Sequence, residues 1–159
     1  MKRLLLVILL SASFLTGCGF KLRGSIDLPD SIRSVSISSP DVKLRDLLAD
    51  RLESNNVTVV RDGVGTAHVS IDSAEIFREV TTIDDRGKST GYNLILRATY
   101  RVLDGNGKEL VKPSNATARR DYNYDPDQLL SATREEELLH DEMREEVASS
   151  ILRKMSRIR

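Results

Sequence analysis

The sequence has few of the residues from which catalytic and cofactor sites are built. Its 159 residues include one cysteine, two histidines and no tryptophan. A single thiol excludes an internal disulfide, and His68 and His140 lie far apart without a metal-ligand pattern around them. No G-x-S-x-G motif and no paired-carboxylate arrangement stands out. We therefore predict that the protein is not an enzyme and that it uses no cofactor or metal ion.

An excess of charge of one sign and long hydrophobic runs are also lacking. The chain has 24 basic and 24 acidic residues, and this balance gives no basic footprint for nucleic acid. The longest largely apolar run, from Leu4 to Leu15, has twelve residues, whereas a membrane-spanning helix needs about 20. We therefore predict no nucleic-acid partner and no membrane-spanning segment.

The N-terminus has the features of a bacterial export signal. Lys2 and Arg3 precede the apolar run, and Leu15-Thr16-Gly17-Cys18 ends it. This order of charged, apolar and small residues is typical of a secretory signal peptide. The last four residues resemble the lipobox of bacterial lipoproteins. That resemblance implies cleavage before Cys18, with a diacylglycerol on its sulfur and an acyl chain on its amino group. Gly19 in place of aspartate implies sorting to the outer membrane, where three chains give stable anchoring.

The first half of the mature chain predicts a strand, a helix and further strands. Val35 and Ile37 indicate a strand that begins near Ile32. Ser39-Pro40-Asp41 is a helix-start signal in which proline can take the first helical position. Of the β segments that follow, residues 91–103 are the clearest, because apolar and polar residues alternate throughout.

The second half predicts a turn, an edge strand and a long helix. Asp104-Gly105-Asn106-Gly107 is a hairpin turn signal, and Pro113 belongs at an edge or a bulge. Asp125-Pro126-Asp127-Gln128 can cap a helix that runs as far as Ile158, and an apolar stripe with a four-residue spacing extends along it from Leu139 to Met155. The order of elements predicts an α/β fold: a single-domain two-layer sandwich with a mixed β-sheet of about four strands and two α-helices packed on one face. We divide the chain into a lipoprotein signal peptide (residues 1–17), a lipidated N-terminal leader (18–31) and an α/β domain (32–159).

The chain as a whole resembles the LptE family of lipopolysaccharide-assembly lipoproteins. The residues that carry the resemblance are Cys18-Gly19-Phe20-Lys21-Leu22-Arg23-Gly24, Tyr92-Asn93-Leu94-Ile95-Leu96, Tyr122-Asn123-Tyr124-Asp125-Pro126 and the helix from Glu135 to Met155. The resemblance implies an α/β sandwich that sits in the lumen of the LptD outer-membrane β-barrel as a plug and assembly partner. It also implies binding of lipopolysaccharide and a periplasmic position, with the domain held to the outer membrane by its lipid anchor.

The resemblance also suggests which side chains to test. Lipid A carries phosphates, which call for arginine or lysine, and Arg86 and Lys88 lie on a predicted turn. Arg134 lies two residues beyond the position where alignment on Pro126 places a family basic residue. An alternative for Arg86 and Lys88 is that they only keep the turn soluble.

Arg97 and Arg101 lie on the polar side of the clearest strand. They can contact the barrel lumen or simply face water, since an open sheet face is often solvated. A different function also stays open at this point, namely an outer-membrane-tethered periplasmic scaffold that binds peptidoglycan or another envelope protein. A lipoprotein hydrolase has no candidate nucleophile in the sequence.

Overall fold

A five-stranded mixed sheet carries two helices on one of its faces. The computed structural model describes residues 26–61, 63, 65–124 and 129–158, with 129 and 130 described for their backbone only. The predicted signal peptide, Cys18, most of the predicted leader and the predicted cap at 125–128 lie outside these residues. The elements in chain order are β1 (Ser34–Ser38), α1 (Val42–Glu53), β2 (Thr58–Val60), β3 (Ala67–Ile83), β4 (Ser89–Leu103), β5 (Glu109–Asn123) and α2 (Leu129–Met155).

The sheet joins a parallel part to an antiparallel part. Its strand order is β2-β1-β3-β4-β5; β1 pairs in parallel with β2 and β3, and β3, β4 and β5 form an antiparallel meander. The predicted mixed sheet is confirmed, but it has five strands instead of about four. The additional strand, β2, has only three residues, too few for an alternating pattern to show. Pro113 lies in the edge strand β5, beside a register shift against β4, as its missing N–H requires.

One core fills the space between the sheet and the helices. The even-numbered residues of β4 from Leu94 to Val102 point into this core and are buried, whereas the odd-numbered Arg97 and Arg101 point away from it and are exposed. The two helices face the sheet with leucines of α1 and with the predicted four-residue stripe of α2. The largest contributors from these elements are Leu44, Leu48, Leu52, Leu94, Leu96, Tyr100, Met143, Val147, Ile151 and Met155. The predicted packing of both helices on one face is therefore confirmed.

Two element starts differ from the sequence prediction. Pro40 does not open α1; it precedes Asp41, which is the N-cap and accepts a hydrogen bond from the Leu44 N–H at 3.0 Å. An aspartate cap satisfies an otherwise unpaired amide of the first turn, so α1 begins at Val42, the residue after the cap. Strand β1 begins at Ser34 because Ile32 belongs to a 3-10 turn, Asp30–Ile32.

Helix α2 is continuous and ends before the predicted residue. It runs from Leu129 to Met155, and residues 156–157 form a turn; at 1.5 Å per residue its length is about 40 Å. Arg153 and Lys154 lie in its last turn, where they complement the helix dipole. Within the described ranges, no helix is both long and apolar enough to cross a membrane.

Polar contacts join α1 to α2 above the core. The Asp41 carboxylate that caps α1 also accepts a hydrogen bond from Arg144 Nε at 2.9 Å, and both side chains are only about one-sixth exposed. Lys43 contacts Asp141 at 3.1 Å. The hydrogen bond from Lys43 holds the pKa of the Asp141 carboxyl below its ordinary value. These contacts fix how the two helices lie side by side.

Candidate functional site

The turn end of the β3–β4 hairpin is exposed and carries apolar side chains. From Phe77 onwards every residue of β3 is exposed. Val80 is 52% exposed and Ile83 is 61% exposed. Single exposed apolar residues are ordinary, but several that lie close together on one element can mark an interaction site. This end of the hairpin is therefore a candidate contact surface.

The turn itself is held by one aspartate. Asp84 Oδ1 accepts hydrogen bonds from the backbone N–H groups of Arg86 (2.9 Å) and Lys88 (2.8 Å), and Gly87 takes the left-handed conformation at φ 77°. The Asp84 carboxylate therefore accepts hydrogen bonds from the backbone of its own turn. The side chains of Arg86 and Lys88 are exposed and make no ion pair with any residue that the structure describes. The predicted turn is confirmed, and its two bases are available to a ligand.

The β4–β5 turn has the same construction and provides an internal comparison. Asp104 Oδ1 accepts from the N–H groups of Asn106 (2.8 Å) and Lys108 (2.9 Å), and Gly107 has φ 82°. Both turns also pair the aspartate N–H with the lysine carbonyl at 2.8 Å. The two turns differ in their surroundings, because exposed aliphatic side chains lead into the first one.

A tyrosine cluster attaches the hairpin end to the start of α2. The rings of Tyr92, Tyr122 and Tyr124 lie 6.3–6.4 Å apart, centroid to centroid. The Tyr122 hydroxyl donates to the Ala132 carbonyl of α2 at 2.9 Å. Burial, with a smaller contribution from the Glu136 carboxylate, raises the pKa of Tyr122 above its ordinary value. This hydroxyl therefore stays a neutral donor.

Arg78 adds a charged contact between the same elements. Its guanidinium lies 5.1 Å from the centre of the Tyr92 ring and forms an ion pair with Glu136 of α2. Its charge is therefore already balanced. Nothing in the local sequence around Arg78 indicates this contact, because the pattern there does not show that α2 passes above this part of β3.

Arg134 lies at the same end of the domain as the hairpin turn. It is exposed on α2, two residues after Ala132, whose carbonyl contacts Tyr122. Tyr122 in turn is paired with Tyr92 of the hairpin. The structure therefore brings Arg134, Arg86 and Lys88 to one end. Arg134 is followed by three glutamates in the sequence, so its sequence neighbours are more acidic than those of Arg86 and Lys88.

Arg97 and Arg101 lie elsewhere, on the sheet face opposite to the helices. The Arg97 guanidinium lies 5.5 Å from the centre of the Phe77 ring, and Arg101 Nη2 is 3.5 Å from Asp72 Oδ1. Their predicted position on the polar face is confirmed. Ile95 is an exception on this face, since it is only 5% exposed although it points away from the main core. Its neighbours in register are Phe77 and Arg119.

The two histidines make ordinary local contacts. His68 lies between the hydroxyls of Ser36 (2.8 Å) and Ser38 (3.0 Å) on β1. His140 of α2 lies 3.6 Å from Glu136, and burial lowers the pKa of His140 despite this carboxylate. Among the residues that the structure describes, no group of histidine, cysteine and carboxylate side chains could hold a metal ion.

Comparison with known proteins gives one consistent family. The LptE family, described as Lipopolysaccharide-assembly, matches residues 32–155. The chain is 31% identical to the LPS-assembly lipoprotein LptE of Photorhabdus laumondii, over 98% of this chain and 87% of that protein. The crystal structure of rare lipoprotein B from Shewanella oneidensis is similar at a TM-score of 0.67 and 30% identity, covering 77% of this chain and 93% of that chain. A solution structure of lipoprotein B from Nitrosomonas europaea is similar at a TM-score of 0.71 and 26% identity, covering 87% of this chain and 91% of that one.

Proposed function

The chain belongs to the LptE family of lipopolysaccharide-assembly lipoproteins, and from this premise we propose that it plugs and helps assemble the LptD β-barrel in the outer membrane. We propose further that it binds lipopolysaccharide at the exposed end of the β3–β4 hairpin. The family consists of lipid-anchored envelope lipoproteins that work in lipopolysaccharide assembly. Its members are not enzymes, and as a member this chain is not an enzyme either.

The observation that supports ligand binding is the composition of the hairpin end. Arg86 and Lys88 form no ion pair with any described residue, and Val80 and Ile83 expose aliphatic surface close to them in sequence. Lipopolysaccharide combines phosphate groups with acyl chains. Phosphates pair with arginine and lysine, and acyl chains gain from contact with apolar surface. A surface that offers both suits an amphipathic lipid better than it suits a purely polar polymer.

The uncovered face of the sheet supports a position inside a barrel. Its side chains are mainly polar, and Arg97 and Arg101 are exposed on it. The lumen of a wide outer-membrane barrel is polar, whereas its apolar band faces lipid. A domain that enters the lumen therefore needs a polar exterior and a separate membrane anchor. The predicted lipid on Cys18 would supply that anchor.

Co-purification tests the barrel partner. The tagged lipoprotein is extracted from outer membranes in mild detergent, and any equimolar partner is identified by mass spectrometry. We expect a large β-barrel in a one-to-one complex. Recovery of the lipoprotein with peptidoglycan fragments or another envelope protein instead would contradict the plug and favour the tethered scaffold.

Binding of lipopolysaccharide is tested with the two matched turns. Replacing Arg86 and Lys88 by glutamine removes two charge-assisted contacts, which corresponds to about a tenfold loss of affinity for partly exposed groups. Lys108→Gln removes the corresponding lysine of the β4–β5 turn and should leave the affinity unchanged. Equal affinities for all three proteins, with unfolding midpoints also equal, would remove the hairpin from the binding site.

A further inference from the structure

A polar cleft lies at the opposite end of the domain from the β3–β4 turn. It has a volume of about 490 Å³ and lies between the last turn of α2 and the adjoining parts of β4 and β5. Three basic residues line it, Arg153, Lys154 and Arg157, and none of its lining residues is acidic. The proposed lipopolysaccharide surface does not include any of these residues.

The three bases have no carboxylate partner in the described part of the chain. Elsewhere the exposed arginines often pair, as Arg51 does with Glu145 and Arg120 with Glu142 and Glu146. Arg153 and Lys154 belong to the last turn of α2 and Arg157 to the turn that follows it, so three like charges lie close together and repel one another. The helix dipole accounts for cations near this terminus. It does not account for their gathering around a concave surface, which an anion would stabilise.

Tyr100 supplies a further polar group to the cleft. The residue is only 3% exposed and belongs to the core, yet it also lines the cleft. Its hydroxyl makes no hydrogen bond with any described residue, and the oxygen itself is not sealed from solvent, so it is accessible from the cleft. Burial raises the pKa of Tyr100, so the hydroxyl remains protonated and can donate.

A neighbouring serine adds a neutral donor. Ser150 of α2 lines the same cleft. Asn115 also borders the cleft, but its Oδ1 accepts from the hydroxyl of its strand partner Thr99 at 2.9 Å, which directs this side chain to the opposite face of the sheet. Together with the bases, the Tyr100 and Ser150 hydroxyls supply donors, which is the arrangement that an oxyanion with several acceptor atoms requires.

We propose that this cleft, formed by Tyr100, Ser150, Arg153, Lys154 and Arg157, binds a phosphate group. Phosphate fits better than carboxylate because it has more acceptor oxygens and can carry two charges to set against three cations. The group can belong to a soluble phosphate or to a phospholipid headgroup, since both present the same oxygens. The proposal does not depend on the barrel or on the hairpin surface.

The test is a titration of the purified lipoprotein, held in uncharged detergent, with inorganic phosphate at constant ionic strength. Amide NMR shifts of residues 114, 115 and 150–157 and the thermal unfolding midpoint are followed. We expect saturable binding that falls about tenfold or more in the Arg153→Gln/Arg157→Gln protein. Tyr100→Phe, which removes only the hydroxyl, should weaken binding about threefold to fivefold. Lys108→Gln, which removes one base from the same end of the domain but outside the cleft, should not change it.

Parallel titrations with acetate and with phosphatidylglycerol micelles separate the sources. Saturation of the same amides by phosphatidylglycerol at lower concentration than by inorganic phosphate would support a headgroup, and its failure to perturb them would support a soluble phosphate. Equal saturation by acetate would overturn the assignment and mark a protein carboxylate as the natural partner. A response that stays linear in phosphate concentration would also overturn the assignment. So would a loss of affinity in Lys108→Gln as large as the loss in Arg153→Gln/Arg157→Gln. Either result would leave a solvated basic surface.

Discussion

Asp41 has two roles that substitutions can separate. Its carboxylate caps α1 through the Leu44 N–H and also binds Arg144 of α2 at 2.9 Å. Asparagine is as good an N-cap as aspartate, but it cannot form an ion pair. Asp41→Asn should therefore remove only the helix–helix contact, whereas Asp41→Ala should remove both contacts.

The structure sets the size of each effect. Loss of an N-cap costs about 1 kcal/mol. Breaking a fully buried ion pair costs about 3–5 kcal/mol, but an exposed pair contributes about 0–1 kcal/mol. Here both side chains are about one-sixth exposed, and Arg144 keeps a second carboxylate, Asp141, at 2.8 Å. We therefore expect a cost of about 1–2 kcal/mol for Asp41→Asn and about 2–3 kcal/mol for Asp41→Ala.

The assay is urea unfolding followed by far-UV circular dichroism, with Arg144→Met completing a double-mutant cycle. Methionine keeps part of the apolar stem packed while it removes the charge. In the Arg144→Met background, Asp41→Asn should cost close to nothing, so the coupling energy should be about 1–2 kcal/mol. A coupling energy below about 0.5 kcal/mol would be within ordinary additivity and would refute the ion pair as a link between the helices. Equal stabilities of Asp41→Asn and Asp41→Ala would refute the cap.

Three further predictions concern pH, the core and the anchor. Burial lowers the pKa of His140, so the unfolded chain takes up its proton first, and stability should be lost as pH falls below about 6.5. His140→Gln should flatten the unfolding free energy between pH 7.5 and 5.5, and an unchanged slope would exclude this histidine as the cause. Leu96→Ala should lower the unfolding free energy by about 2–5 kcal/mol, because Leu96 is fully buried; a loss below 1 kcal/mol would mean that the core closes around the gap. Cys18→Ala should abolish incorporation of labelled fatty acid, and continued labelling would contradict the lipobox.

The sequence predicted the fold best where burial is one-sided and repeats over many residues. Strand β4 alternates for its whole length, and the four-residue stripe of α2 is long, so both elements were recognised with the correct buried face. Strand β2 was too short for the strand count to be right. The far half of β3 shows no clear period, because both of its faces are exposed beyond Phe77. There the pairing with β4, not a buried face, sets the register.

The candidate sites were predictable only where one short segment of the sequence contains them. Arg86 and Lys88 belong to a turn whose aspartate and glycine are visible in the sequence, and their exposure followed directly. The phosphate cleft instead joins Tyr100 to Arg153 and Arg157, more than fifty residues away in the chain. That juxtaposition depends on how α2 lies across β4. No local pattern contains this information, because basic residues are ordinary near the C-terminus of a helix.

The mixed topology of the sheet also sets the order in which the chain can fold. The meander β3–β4–β5 closes through two five-residue turns. Strand β1 instead pairs in parallel with β2 and β3, and the segment that contains α1 separates it from both in the sequence. Closing this longer connection costs more chain entropy before any contact forms. We expect the meander with α2 to make up the folding nucleus and β1 with α1 to dock afterwards. Leu96→Ala should then slow folding, whereas Val35→Ala in β1 should mainly speed unfolding, and stopped-flow kinetics that show the reverse would place the nucleus in the parallel part.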